Sequence, residues 1–418
     1  MDRRIFAACF AGVLLIATRV SAIDWNNSRD VIDAAISVSP SLREIDARIA
    51  AARARAAGAA SLPNPMLMAG VQNRQIDLSS DPMTMYMVGA SQTFVRRDRR
   101  ASLQRTATLE VQQLERERDI RVAETRRDVL VAYDEAAAAA NQIAANEEIA
   151  TLVASTGEAA RIRYESGFAP QIDIIRAKLE ETNVRHEILM QRGVRHQALA
   201  RLRALLALPA DAEIPPFSLS HSMEHHDLVV RKESGGALPT KAVEAEAARA
   251  EEAIHLAKLI RKPDVSLEAS YGFRPQQRDM FSVVARIELP VRKTVIAPRI
   301  AEATAERDAA VARIDVLRQQ LQSEMGKAIA QRDEAIEQIN LHVEQLVPEA
   351  KLGFESALAS YQSGKTTFDA VIGALQTYRT LSVDYYDFLR QLLVAEALID
   401  ALEHGSGSTV VPEMGGGR

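Results

Sequence analysis

The side chains best able to do chemistry in this sequence are thioethers. Met83, Met85 and Met87 alternate within DPMTMYMVGASQTF, residues 81–94, and Met66 and Met68 alternate one short segment earlier. Thioether sulfur suits soft ions such as Cu(I), but alternation is also the period of a strand, on which every second side chain shares a face. A second group, HSMEHH, sets His221, Met223, His225 and His226 beside Glu224. Imidazole and thioether bind copper or zinc, yet this spacing fits no defined site. His221, His225 and His226 are therefore metal candidates without an assigned site, and an exposed linker is the simpler reading. Phosphate-binding Gly loops, nucleophile elbows and paired zinc ligands on a helix are absent. The sequence reads as a protein that is not an enzyme and needs no cofactor.

The elements that would hold these residues follow from composition and period. Of 418 residues 47% are hydrophobic, 26% charged and only 5% aromatic, with long tracts of Ala, Arg, Glu, Gln and Leu, which is the composition of long helices. Residues 1–22 combine a basic start, an apolar run from Ile5 to Ala17 and a small-residue site at Val20, Ser21 and Ala22, the pattern of a secretory signal peptide. The single cysteine, Cys9, falls inside it, so the remainder is expected to hold neither disulfide nor thiol ligand, and FAAC is a poor lipidation box. A formal net charge of −5 gives no electrostatic case for nucleic acid. After residue 22 no run approaches the roughly 20 apolar residues of a membrane helix; a membrane span would have to be made of strands.

The chain is written twice. RYESGFAPQIDIIRA (163–177) and SYQSGKTTFDAVIGA (360–374) pair Tyr164 with Tyr361, Ser166 with Ser363 and Gly167 with Gly364, while LPNPMLMAGV (62–71) pairs with KPDVSLEASY (262–271). After the signal, the expected organisation is a first repeat over 23–208, a linker over 209–237, a second repeat over 238–404 and a disordered tail over 405–418. Each repeat reads as helix, strand, strand, very long helix, Gly turn and long helix. The helices are expected over 28–59, 97–165 and 171–207, then 238–261, 296–362 and 368–404. The strands are expected over 64–75 and 84–95, then 264–273 and 280–291.

The long helices carry heptad seams. One runs Val122, Thr125, Val129, Ala132, Ala136, Ala139, Ile143, Asn146, Ala150, Val153; the other runs Met325, Ile329, Arg332, Ile336, Ile339, Val343, Leu346, Ala350, Gly353, Ala357. That spacing predicts antiparallel coiled coil with close approach at alanine, and Pro348 predicts a local break or kink. In the second repeat Val265, Leu267, Ala269 and Tyr271 alternate with polar residues, as do Phe281, Val283, Ala285, Ile287 and Leu289. Apolar-out, polar-in segments of this length are the pattern of membrane barrel strands, and a soluble hairpin with one buried face would look alike. Four strands cannot close a barrel, so several chains would contribute. Aligned on the repeat, Met66, Met68, Met83, Met85 and Met87 fall on the polar face, the lumen side.

Signal peptide, duplicated strand pairs, heptad helices and Gly turns together resemble the TolC-type outer-membrane efflux proteins. The pieces that carry it are LPNPMLMAGVQN, PMTMYMVGASQTF, LVPEAKLGFESALASYQSGK and the two Gly-turn segments, spread over about residues 28–404. The first two are most similar to outer-membrane components of heavy-metal efflux systems. The resemblance implies a mainly α fold with a small β part: a homotrimer joining a 12-stranded β-barrel in outer-membrane lipid to a helical α-barrel across the periplasm of a Gram-negative cell. It also implies docking to a periplasmic adaptor (membrane fusion) protein and an inner-membrane RND-type pump. On it, Tyr164, Ser166, Gly167 and Phe168 form one docking tip, and Tyr361, Ser363, Gly364, Lys365 and Thr366 the other. Acidic residues beyond the tip narrow the closed channel in the family. Asp173 sits at the matching place, whereas Ala370 and Gly373 replace the expected acids of the second repeat, leaving Asp369 one residue earlier.

The resulting expectation is a passive exit duct of a tripartite efflux pump, carrying heavy-metal cations. Its rivals are a duct for drugs or organic solutes or for type I protein secretion and, from another class, a secreted coiled-coil scaffold.

Overall fold

The computed structural model describes residues 23–73, 83–217, 238–275, 277–290 and 293–403. The expected signal segment, His221, His225 and His226, most of the expected linker and the expected tail over 405–418 lie outside the described residues. The elements run α1 (Ser28–Val38), α2 (Pro40–Gly58), β1 (Met66–Gln72), β2 (Met85–Phe94), α3 (Arg97–Glu165) and α4 (Gln171–Leu205), followed by α5 (Leu238–Leu259), β3 (Val265–Phe273) and β4 (Met280–Ile287). Then come α6 (Lys293–Leu341), a π-helical turn (His342–Leu346), α7 (Val347–Gln362) and α8 (Phe368–Glu403). This is the mainly helical, four-stranded fold that the sequence predicts. No described helix is long and apolar enough to cross a membrane.

Two of the expected helices are interrupted, each at a proline. The span 28–59 divides because Ser39 precedes Pro40, whose ring disfavours helical backbone at the residue before it; Ser39 takes ψ 121°, and its hydroxyl accepts from the Leu42 N–H at 3.4 Å. The span 296–362 divides at the π-helical turn directly before Pro348. Proline has no N–H to offer the carbonyl one turn back, and a single wide turn is the usual local answer.

That wide turn corrects the second seam. Burial in the chain falls on Ala328, Ala335, His342, Phe354 and Tyr361, whereas Ile329, Val343 and Gly353 are exposed. The Val347 N–H bonds to the His342 carbonyl, five residues back, so the inward line steps by five at the turn and by seven on either side. Heptad counting has no five-residue step, and it therefore rotates the helix face by one position. The first seam has no such turn: Thr125, Val129, Ala132, Ala136, Ala139, Asn146 and Val153 are all buried.

The chain forms two compact units, each drawing on both repeats. Among the described residues, one comprises 23–42, 119–217, 238 and 320–403. One of its two cores stacks Phe217 on Tyr133 with ring centroids 4.3 Å apart, and Trp25 on Phe217 at 6.4 Å; the Tyr133 hydroxyl donates to the Trp25 carbonyl at 2.8 Å. These rings pack with Val129, Ala132, Ala136, Leu199, Leu202 and Leu389. The other core gathers Ile149, Val153, Val184, Phe354, Tyr361, Phe368 and Leu375.

The second unit comprises the described residues within 43–118 and 239–319 and holds the sheet. Its order is β1-β2-β3-β4, antiparallel throughout, so β2 and β3 join the strand pairs of the two repeats. The junction is pinned beneath the strands: Asp264, just before β3, accepts from the Arg96 N–H at 3.0 Å and the Arg99 guanidinium at 2.6 Å, and Lys262 donates to Asp98 at 3.0 Å.

Candidate functional site

The sheet has two chemically distinct faces. Leu67 and Val71 on β1, Tyr86, Val88 and Phe94 on β2, Leu267, Tyr271 and Phe273 on β3, and Phe281, Val283 and Ile287 on β4 are all exposed. The register places them on one side, with Val88 opposite Tyr271 and Tyr271 opposite Phe281. Leu67 keeps 85% and Phe281 71% of its surface. An apolar face this extensive is the mark of a surface that meets lipid or another protein.

The opposite face is polar. The Thr93 and Ser266 hydroxyls share a hydrogen bond at 2.9 Å, and Arg286 pairs with Glu268 at 3.2 Å. Alternation puts Met66, Met68, Met85 and Met87 on this face, as the repeat alignment predicts. Met83 differs: β2 starts at Met85, and Met83 stands in the preceding turn, where its sulfur accepts from the Gln277 amide at 3.6 Å. Among the described residues β1 and β4 each have one edge with no strand beside it.

The two Gly turns are the second candidate site, in the other unit. Gly167 and Gly364 take φ +79° and +78°, the left-handed conformation that only glycine adopts without strain. Each closes the same way. The Gly167 N–H bonds to the Tyr164 carbonyl at 2.9 Å and the Phe168 N–H to the Arg163 carbonyl at 2.8 Å; Gly364 to Tyr361 and Lys365 to Ser360 repeat both distances. This is the paired pattern of a Schellman cap. Phe168 is 76% exposed, and Ile172, Ile175 and Leu179 continue an exposed apolar stripe along α4. Ser166 and Ser363 turn their hydroxyls back onto the Ile162 and Ser360 carbonyls, while Lys365 and Thr366 lie at the second turn.

Beneath the turns the repeats stop being alike. Tyr164 is exposed, but its counterpart Tyr361 is buried and donates its hydroxyl to Asp173 Oδ2 at 2.9 Å, with its ring 5.2 Å from that of Phe368. Burial first, and then the Asp173 bond, push the Tyr361 phenol up to about 12. Asp173 is itself buried, whereas Asp369 is exposed and ion-paired with Arg176. Two turns deeper, buried Glu180 accepts from the Gln376 amide at 2.7 Å and lies 3.8 Å from Arg379.

Sequence reasoning missed Arg163. Its Nη1 donates to the Tyr361 carbonyl at 2.6 Å and the Gln362 carbonyl at 3.0 Å, and its Nη2 to the Phe168 carbonyl at 3.3 Å. The guanidinium also lies 4.9 Å over the Tyr361 ring. One side chain thus caps α7 and holds the first turn against the second. The repeat puts Ser360 at the matching position, so internal alignment offers no signal for it.

Among the described residues no His, Cys, Asp and Glu cluster could hold a metal ion.

The comparisons agree with this geometry. Residues 31–208 match the family model "Outer membrane efflux protein". No curated protein matches the chain in sequence. Among solved structures the fold is similar to that of CusC, in a study of folding and transmembrane channel formation, with 17% identity and a TM-score of 0.79 over 90% of this chain and 92% of that one. It is similar to the outer membrane protein VceC of Vibrio cholerae, at 19% identity and TM-score 0.74 over 91% and 96%. The open MtrE outer membrane channel of Neisseria gonorrhoeae matches at 17% identity and TM-score 0.75 over 91% and 89%.

Proposed function

We propose that this chain is a TolC-type outer-membrane efflux protein, a reading supported by the match of residues 31–208 to that family's model, and that it is the exit duct of a tripartite pump whose cargo is heavy-metal cations. The observation that carries the duct is the two-faced sheet with open edges. In lipid an unpaired strand edge costs several kcal/mol per backbone group, so β1 and β4 need neighbours, and copies of the same chain supply them. Three copies give 12 strands, with the apolar face outward and the polar, methionine-bearing face around the lumen.

The turns serve the other end of the task. Gly167 and Gly364 present Tyr164, Phe168, Lys365 and Thr366 at two compact tips, a shape suited to an adaptor, and the exposed stripe from Phe168 to Leu179 is covered by a neighbouring copy. Tyr361, Asp173 and Arg163 tie the two hairpins of one chain together, and that tie must yield when the periplasmic end opens. Asp369 with Arg176 forms an exposed ion pair beside it, worth little by itself. The duct supplies a path and a gate, and the pump supplies the energy.

A strain lacking the protein tests both levels. Growth is compared on graded copper, silver, zinc, cadmium and cobalt, with ethidium and detergent alongside. Sensitivity to metals alone is expected. Sensitivity to dyes and detergent alone would overturn the cargo and keep the duct. A protein that fails to sediment with outer membranes, or runs as a monomer without heating, would overturn the duct itself and favour a secreted scaffold.

A further inference from the structure

Three methionines flank one glycine on the polar face of the sheet, and the sulfur of one of them lies over it. In register, Gly272 stands between Met87 on β2 and Met280 on β4, and all three belong to the same face. The sulfur of Met85 lies in the space that a Cβ on Gly272 would occupy. Gly272 thus has a methionine on each side and a third folded over it. Neighbouring strands lie about 4.8 Å apart, so with no side chain on the middle strand Met87 and Met280 face each other across roughly 10 Å, a gap that two long flexible thioethers can close. Gly70, opposite Met87 on β1, leaves the other flank open, since a Cβ there would meet nothing within 4 Å.

The geometry points to a soft-cation site made by Met85, Met87 and Met280 over Gly272, which takes a monovalent ion such as Cu(I) or Ag(I). Three neutral sulfur ligands suit those ions and disfavour Zn(II) or Co(II), which prefer imidazole, carboxylate or thiolate. All three ligands come from one chain, so the site does not require symmetry copies to converge across a wide pore. A neutral set also holds its ion loosely enough to release it, as a conduction path requires. No proton is displaced on binding, because a thioether has none to lose at any pH the cell meets. Occupancy is therefore independent of pH, unlike a site of histidines, whose ligands protonate near pH 6.5. This assignment rests on the metal-cargo reading and narrows it to soft monovalent ions.

The test uses the full purified oligomer in detergent and silver nitrate in chloride-free buffer. Equilibrium dialysis with elemental analysis should find about one Ag(I) per chain, retained alike at pH 5 and pH 7. The double substitution M85L/M87L, which keeps volume and loses sulfur, should remove that ion while preserving the heat-sensitive oligomer. M83L, in the turn outside the trio, should leave it in place. If the double variant does not assemble, M280L alone serves, and binding should weaken about ten-fold or more. Absence of stoichiometric binding, binding unchanged by M85L/M87L, or binding lost between pH 7 and pH 5 would each overturn the site. The two readings fail separately. A deletion strain sensitive only to dyes sinks the metal cargo even if purified protein binds Ag(I), and a metal-sensitive deletion strain fully rescued by a non-binding M85L/M87L protein sinks the site's part in transport alone.

Discussion

The Tyr361 hydroxyl donates to Asp173 across 188 residues of sequence, at 2.9 Å, with both side chains buried. The bond crosses from the helical hairpin of one repeat to that of the other. Tyr361→Phe removes the donor and leaves a buried carboxylate short of a partner, which costs about 1–3 kcal/mol. Asp173→Asn keeps an acceptor and should cost less. Thermal unfolding of the purified protein ranks the two, and if the protein is the proposed duct and this bond restrains its tip, single-channel conductance should rise more in Tyr361→Phe. Its pH range follows from the raised phenol: stability from it is whole below the ordinary phenol value of about 10 and is lost as pH rises toward about 12. Across physiological pH it is constant.

Much of this fold was legible because its rules are local. Apolar alternation marks the strand faces, heptads mark the α3 seam, and glycine at a repeated position marks both left-handed turns. What stayed hidden depends on partners distant in sequence or on breaks in period. Tyr164 and Tyr361 are equivalent in the repeat, yet one is exposed and the other buried, packed with Phe354 and Phe368 and bonded to Asp173. Arg163 has no counterpart at Ser360, and the five-residue step at His342 violates the heptad used to read its neighbours.

Arg163 should not be replaceable by lysine. Its planar fork reaches three carbonyls on two turns while lying over the Tyr361 ring, a geometry that a single ammonium cannot match. Arg163→Lys should therefore lose most of what Arg163→Ala loses. Limited proteolysis of the folded protein measures it: new cleavage near residues 163–170 or 360–368 is expected in both variants, and a lysine variant as resistant as the parent would show that charge alone suffices.

At the Gly turns strain, not crowding, is the obstacle. A Cβ at Gly167 would meet nothing within 4 Å, but φ of +79° costs an alanine about 1–2 kcal/mol. Asparagine tolerates that conformation better. Gly167→Asn should thus fall between the parent and Gly167→Ala in thermal stability, even though its side chain is larger. The opposite order would mean that space decides.

Asp134 supplies a pH dependence of the opposite sense to most carboxylates. Burial, followed by Glu396 and Glu135, pushes it up to about 8, so at neutral pH it holds its proton. A folded value above the unfolded one means that the folded state binds the extra proton. Stability then falls as pH rises from the ordinary aspartate value to about 8 and levels off beyond, at no more than about 1.4 kcal/mol per pH unit. Asp134→Asn cannot ionise, so its advantage over the parent should widen between pH 5 and pH 8. A constant difference over that range would mean that Asp134 titrates normally.

The π-helical turn makes a prediction about chain length instead of side-chain chemistry. Between His342 and Val347 the inward line advances by five residues, where a heptad allows three or four. Deleting Val343, which is exposed, would shorten that step to four and let His342, Val347, Phe354 and Tyr361 remain on one face of an uninterrupted α-helix. Deleting Ile329, also exposed, would instead shorten a seven-residue step to six, rotating everything beyond it by about 100° and turning Phe354 and Tyr361 out of the core. The first deletion should assemble into a heat-sensitive oligomer and the second should not. If the wide turn serves as a hinge for opening, the Val343 deletion will assemble yet fail to restore export to a deletion strain. Full restoration would reduce the turn to an accommodation of Pro348.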